Sequence, residues 1–273
     1  MASMRRFSGA VLSSSPVAFL PRRDRVLILI CVIVVTGLAW AYLVHIGRQI
    51  TPATEYGKAM ADMGMTTGEP WARAEFLFTF IMWAVMMVGM MSPAAAPMLL
   101  LFAAAQTKRG KGRTLPEITM FALGYVAIWA GFSASAAVAQ WSLHQAAMLS
   151  ETMAASSPRL GAAILTAAGI YQLTPWKNRC LMRCRSPLGF LMTNWRDGRV
   201  GAARMGLRHG IYCLGCCWAL MCVLFAVGVM NLLWVAGLTS LVLLEKIGSQ
   251  TAVVARLAGA ALIVFGIVMM IKG

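Results

Sequence analysis

Several stretches of this chain run for eighteen or more residues with almost no charge, and nothing else in the sequence constrains the fold as strongly. An α-helix rises about 1.5 Å per residue, so roughly 20 apolar residues cross the roughly 30 Å hydrocarbon layer of a bilayer. Composition agrees, with 60% hydrophobic and only 12% charged residues. One soluble domain could not hide that much apolar surface. The expected fold class is therefore all-α, a polytopic integral membrane helix bundle of about seven transmembrane helices.

The expected spans are 26–46, 76–104, 118–141, 159–173, 210–227, 232–244 and 252–271. Residues 1–24 read as a basic cytoplasmic tail, and residues 25–273 as a single transmembrane domain. The net charge of +15 is placed mainly in segments between spans. Loop 176–208 carries eight bases and one acid, Asp197, which marks a cytoplasmic side. Residues 47–75 hold four acids against three bases and suit an outside loop. The N-terminus is then cytoplasmic. Ala39-Trp40-Ala41 resembles a signal-peptide cleavage site. The apolar run continues through Tyr42, Leu43 and Val44, which favours a retained helix. No aromatic-basic platform for nucleic acid is visible, so the basic excess points to topology and anionic membrane lipids.

The chemistry is concentrated between His209 and Cys222, where four of the seven cysteines lie. At about 100° per residue, His209, Cys213, Cys216 and Cys217 fall within one helical arc of roughly 100°, with Met221 at its edge. Cys222 points elsewhere. Cys180 and Cys184 follow the fourth span on the same expected side. Five thiols thus gather at one depth, in a compartment that keeps thiols reduced and favours metal binding over structural disulfides. Lys177, Arg179, Arg183 and Arg185 should favour the thiolate, which is the ligand form.

The second span adds thioethers. Met82, Met86 and Met90 are spaced i, i+4, i+8, and Met87 and Met91 form a neighbouring stripe. Methionines also serve as adaptable packing residues. Pro93 and Pro97 remove two backbone donors from the same helix and should kink or open it. Met60, Met63 and Met65 offer a further thioether group in the outside loop. Cysteines alone would suit a four-thiolate zinc site. Thioethers are poor zinc ligands, and Cu(I) accounts for both features.

Enzyme signatures are absent: there is no Gly-x-Ser-x-Gly, no phosphate-binding Gly-Lys-Ser/Thr loop and no His-Glu-x-x-His. The leading expectation is a protein that binds a soft transition metal and transports it or hands it to a metallochaperone or metalloenzyme. A membrane thiol–disulfide oxidoreductase and a non-transporting assembly factor for a metalloenzyme are the alternatives.

Ordered motifs support the metal reading. They are Met82-Trp83, Met90-Met91-x-Pro93, Gly169-x-Tyr171-Gln172-Leu173-Thr174-Pro175-x-Lys177-x-x-Cys180, Cys184, His209-Gly210-x-Tyr212-Cys213-x-Gly215-Cys216-Cys217-Trp218 and Glu245-Lys246. Over about residues 75–250 the chain resembles a bacterial family of predicted metal-binding integral membrane proteins, otherwise labelled domain of unknown function 2182. The resemblance implies a multi-span metal-binding membrane protein. It implies neither the metal nor its fate.

Overall fold

A computed structural model describes residues 20–62, 73–110, 115–146, 157–248 and 251–272. They form α1 (Arg22–Asp62), α2 (Arg73–Lys108), α3 (Leu115–Gln145), α4 (Pro158–Leu173), α5 (Pro175–Arg185), α6 (Pro187–Asn194), α7 (Gly198–Val227), α8 (Leu232–Ile247) and α9 (Thr251–Lys272), with no strand among the described residues. The all-α expectation holds.

Among the described residues, five segments are long and apolar enough to cross a membrane: Arg22–Gln49, Phe76–Lys108, Leu115–Gln145, Gly198–Val227 and Thr251–Lys272. Two other expected spans fold as α4 and α8, of 16 residues each. At about 1.5 Å per residue these reach only about 24 Å. Residues 176–208, expected as a loop, instead form α5, α6 and the start of α7. Because α7 begins at Gly198 rather than at 210, Cys213–Cys217 lie near its middle and not in its first two turns. Helix α1 also continues to Asp62, through part of the expected outside loop. Met63 and Met65 lie outside the described residues. Helix α2 runs without interruption past Pro93 and Pro97.

The breaks between helices have local causes. Proline disfavours a helical conformation in the residue before it, so α4 stops at Thr174, ahead of Pro175. Thr174 then caps α5 by accepting from the Lys177 N–H at 3.4 Å. Helix α7 ends at Gly228, whose φ of 97° suits glycine. The Asn231 side chain accepts from the Trp234 N–H at 3.4 Å and starts α8.

Glycines set the closest helix crossings. A Cβ on Gly206 would overlap the Phe121 carbonyl, and one on Gly124 the Ala203 carbonyl, so α7 and α3 meet backbone to backbone. Gly169 and Gly259 do the same for α4 and α9, where an added Cβ would lie 2.7 Å from the Gly259 carbonyl oxygen. Helix α7 is the hub, packed on α3, α4, α5 and α8. The outer faces of α1 and α9 expose Ile33, Leu38, Leu257 and Val264, a surface that water would oppose and lipid would accept.

Candidate metal centre

Helix α2 contributes the thioethers. Met82 is buried, and Met86, Met87, Met90 and Met91 are fully so. The burial of both stripes reflects neighbours on several sides, since α1, α3 and α8 all pack on α2. These five methionines share one apolar core with Cys184, Cys213, Cys216, Cys217 and Met221, and half-buried Cys180 packs against it. The methionine stripes and the cysteine blocks are thus parts of a single core.

Helices α5 and α7 bring the thiols together. Cys184 lies beside Cys213 and Cys216, and Cys217 beside the same two residues. The Cys216 and Cys217 thiols also donate to the Cys213 carbonyl, at 3.0 and 2.9 Å. That is the back-bond to the preceding helical turn. Cys180 reaches α7 because Gly215 has no side chain: a Cβ there would lie 2.9 Å from the Cys180 Sγ. The Tyr171 hydroxyl donates to the Gly215 carbonyl and pins this crossing.

Tyr125 of α3 joins the two halves. Its hydroxyl donates to the Met91 carbonyl at 3.3 Å and lies 3.0 Å from the Cys213 Sγ. A cation completes the group: the Lys246 ammonium donates to the Cys213 Sγ at 2.9 Å. An ammonium so placed favours a thiolate over a thiol.

The bases nearest in sequence to Cys180 and Cys184 take other partners. Lys177 is fully buried and donates to both carboxylate oxygens of Glu245, each at 2.7 Å. Its third proton goes to the Gln172 side-chain oxygen, while the Gln172 amide donates to Glu245 at 2.8 Å. Burial lowers the Lys177 pKa, and Glu245 opposes that shift. Arg185 donates to the Lys246 and Gly248 carbonyls at 3.2 and 2.7 Å, closing the C-terminal end of α8. Arg183 donates to the Tyr212 hydroxyl at 3.4 Å. None of these three bases replaces Lys246 as the cation on the thiols. The Cys213 and Cys216 thiols beside it, and then burial, hold the Cys184 thiol well above its ordinary pKa.

Among the described residues, no three His, Cys, Asp or Glu side chains stand as a ready-made metal-holding group. The donor chemistry nonetheless fits a soft cation. The core holds the thiols of Cys184, Cys213, Cys216 and Cys217 together with six thioethers, and among the described residues the one buried carboxylate is that of the ion-paired Glu245. The copper chaperone family PpoB2 has a model that matches residues 80–269, well over half of the chain. The chain belongs to this family. No curated protein and no solved structure matches it.

Within this copper chaperone family member, the candidate ligands divide. Cys184, Cys213, Cys216 and Cys217 are gathered, with Cys180 at their edge. Met82, Met86, Met87, Met90, Met91 and Met221 lie in the same core, where the Tyr125 hydroxyl bonds the Met91 carbonyl. His209 lies one turn before Cys213 on α7, but among rings. Phe121, Tyr125 and Phe190 surround it at centroid distances of 6.1, 5.7 and 5.5 Å. It is buried, and its Nδ1 has no hydrogen-bond partner. Sequence reading left out Tyr125, Lys246 and the role of Gly215. Lys246 carried a signal, because a lysine directly after Glu245 at the end of an apolar run needs a buried partner as much as the glutamate does. Tyr125 carried none, since an aromatic in an apolar helix is ordinary.

Proposed function

We propose that this chain is a membrane-embedded copper chaperone that takes Cu(I) along the α2 methionines and holds it on the α5 and α7 thiols. Cys184, Cys213, Cys216 and Cys217 are the holding ligands. Cys180 is the outermost thiol, and Met221 and His209 are auxiliary donors. Met82, Met86, Met87, Met90 and Met91 form the approach. The carrying observation is the single hydroxyl of Tyr125, which touches both the Met91 carbonyl and the Cys213 Sγ. The backbone of the approach helix and the Cys213 thiol thereby share one hydroxyl.

Cu(I) suits exchange between such donors. It prefers soft sulfur ligands, and it can pass from thioether to thiolate without a change of charge on the metal. Thiolate ligands give up protons on binding. The Lys246 ammonium favours the Cys213 thiolate before metal arrives, and the cargo then supplies the positive charge. Handing copper to a metalloenzyme partner accords with the family's description as chaperones. In this reading the chain is not an enzyme, zinc is not the cargo, and residues 25–273 form one domain. The topology has the N-terminus cytoplasmic in a bacterial inner membrane, α4 and α8 complete seven crossings, and anionic lipids contact the basic segments.

X-ray absorption at the copper edge tests the reading. Protein loaded with Cu(I) should show a first shell dominated by sulfur, with at most one nitrogen, from His209. A shell of nitrogen and oxygen would refute it. Copper uptake by sealed proteoliposomes separates hand-off from transport: a chaperone binds stoichiometrically and then stops.

A further inference from the structure

A solvent-open cavity of about 570 Å³ lies where α5, α6 and α7 meet. We propose that it is a binding site for a phosphate oxyanion, carried by a phospholipid headgroup or free in solution. Two guanidinium groups line it, those of Arg183 and Arg208, and no carboxylate does. Both interact with one hydroxyl, that of Tyr212. The Arg183 guanidinium also lies over the Tyr212 ring, 5.3 Å from its centroid. A planar guanidinium carries five donors, so a single shared hydroxyl leaves most of them unspent. Two such groups converging without a counter-charge are matched by a phosphate, which accepts paired N–H donors.

Ser186 adds a hydroxyl. It precedes α6, and its side chain makes no capping bond to that helix. Gly189 keeps room for it, since a Cβ there would lie 2.8 Å from the Ser186 Oγ.

The rim favours a lipid as the source. Met182, which lines the cavity from α5, is 71% exposed, and the Phe190 ring lines it from α6. Apolar side chains beside a pair of arginines match an acyl chain beside a phosphate. Free phosphate would use only the cationic floor.

The cavity also backs onto the thiols. Arg183, Arg208 and Tyr212 directly precede Cys184, His209 and Cys213 in the chain. An anion bridging Arg183 and Arg208 would tie α5 to α7 at the level where Cys184 meets Cys213. The proposal does not depend on copper, because charge and shape alone carry it.

The experiment uses the full chain purified in detergent and a double variant, Arg183→Gln with Arg208→Gln. Native mass spectrometry would read retention of phosphatidylglycerol against phosphatidylcholine, and calorimetry would read inorganic phosphate. A control pair, Arg179→Gln with Arg199→Gln, removes equal charge from exposed positions outside the cavity. Wild type and control should retain phosphatidylglycerol, and the cavity variant should lose about tenfold or more. Phosphate binding that is lost in parallel assigns free phosphate as a second occupant. Lipid binding without phosphate binding assigns the headgroup alone. Equal retention by the cavity variant, or equal loss in the control pair, overturns the site. Should the double variant fail to fold, Arg208→Gln alone is expected to show the same selective loss, and its absence there overturns the site equally.

Discussion

Replacing Glu245 by leucine would strand a buried ammonium. Lys177 has no exposure to solvent, and two of its three protons point at the Glu245 oxygens at 2.7 Å. After the substitution Gln172 remains as its sole polar partner among those contacts. Breaking one side of a buried ion pair costs about 3–5 kcal/mol, because the surviving charge is left unpaired. Burial already lowers the Lys177 pKa and Glu245 opposes that shift, so the variant ammonium would fall further and shed its proton readily. This escape places the loss near the lower end, about 3 kcal/mol. It also gives a pH signature. A lysine whose folded pKa lies below its unfolded value leaves the unfolded chain binding more protons, so stability rises with pH in that window. The deficit of Glu245→Leu should therefore shrink as pH rises toward the ordinary lysine value of about 10.4. Adding Lys177→Met should restore most of the loss, since an apolar pair of similar volume is often neutral. Thermal or denaturant unfolding of the four proteins in one detergent, at two pH values, measures the cycle. Additive losses, or single variants within about 0.5 kcal/mol of wild type, would refute the buried-pair reasoning.

Met90→Leu with Met91→Leu conserves volume, so stability should change by less than about 1.5 kcal/mol per site while copper loading slows; unfolding midpoints and loading rates read the two effects separately. Gly206→Ala forces a Cβ into the Phe121 carbonyl and should destabilise by about 1–3 kcal/mol or more, seen as a lowered unfolding midpoint. Gly215→Ala meets only the Cys180 sulfur, which can rotate, so it should spare stability and raise the alkylation rate of Cys180. The raised Cys184 pKa means protons compete with metal, so copper affinity should fall by about tenfold per displaced proton for each unit of pH lowered; competition with a Cu(I) chelator at two pH values checks this.

Fold class and the grouping of donors were legible in the sequence because both follow from helical periodicity. The arc that places Cys213, Cys216 and Cys217 together is a property of one helix, and the structure has them buried side by side. Depth was not legible. An apolar run marks where a helix can enter lipid but not where the helix begins, and the basic residues from Arg199 to Arg208 belong to α7 itself. Partners of the basic residues were equally hidden. Lys177 reaches Glu245 and Lys246 reaches Cys213 across 68 and 33 residues of chain, and no local pattern encodes such pairings. Methionine spacing fits packing and ligation alike, and only the tertiary fold brings these side chains into one core with the thiols.

Elemental analysis of the purified protein, beside Cys216→Ser with Cys217→Ser, tests the central claim most directly. Copper should accompany the wild-type chain and be mostly lost from the double variant, with folding intact. Equal copper in both proteins would contradict a thiol site on α7.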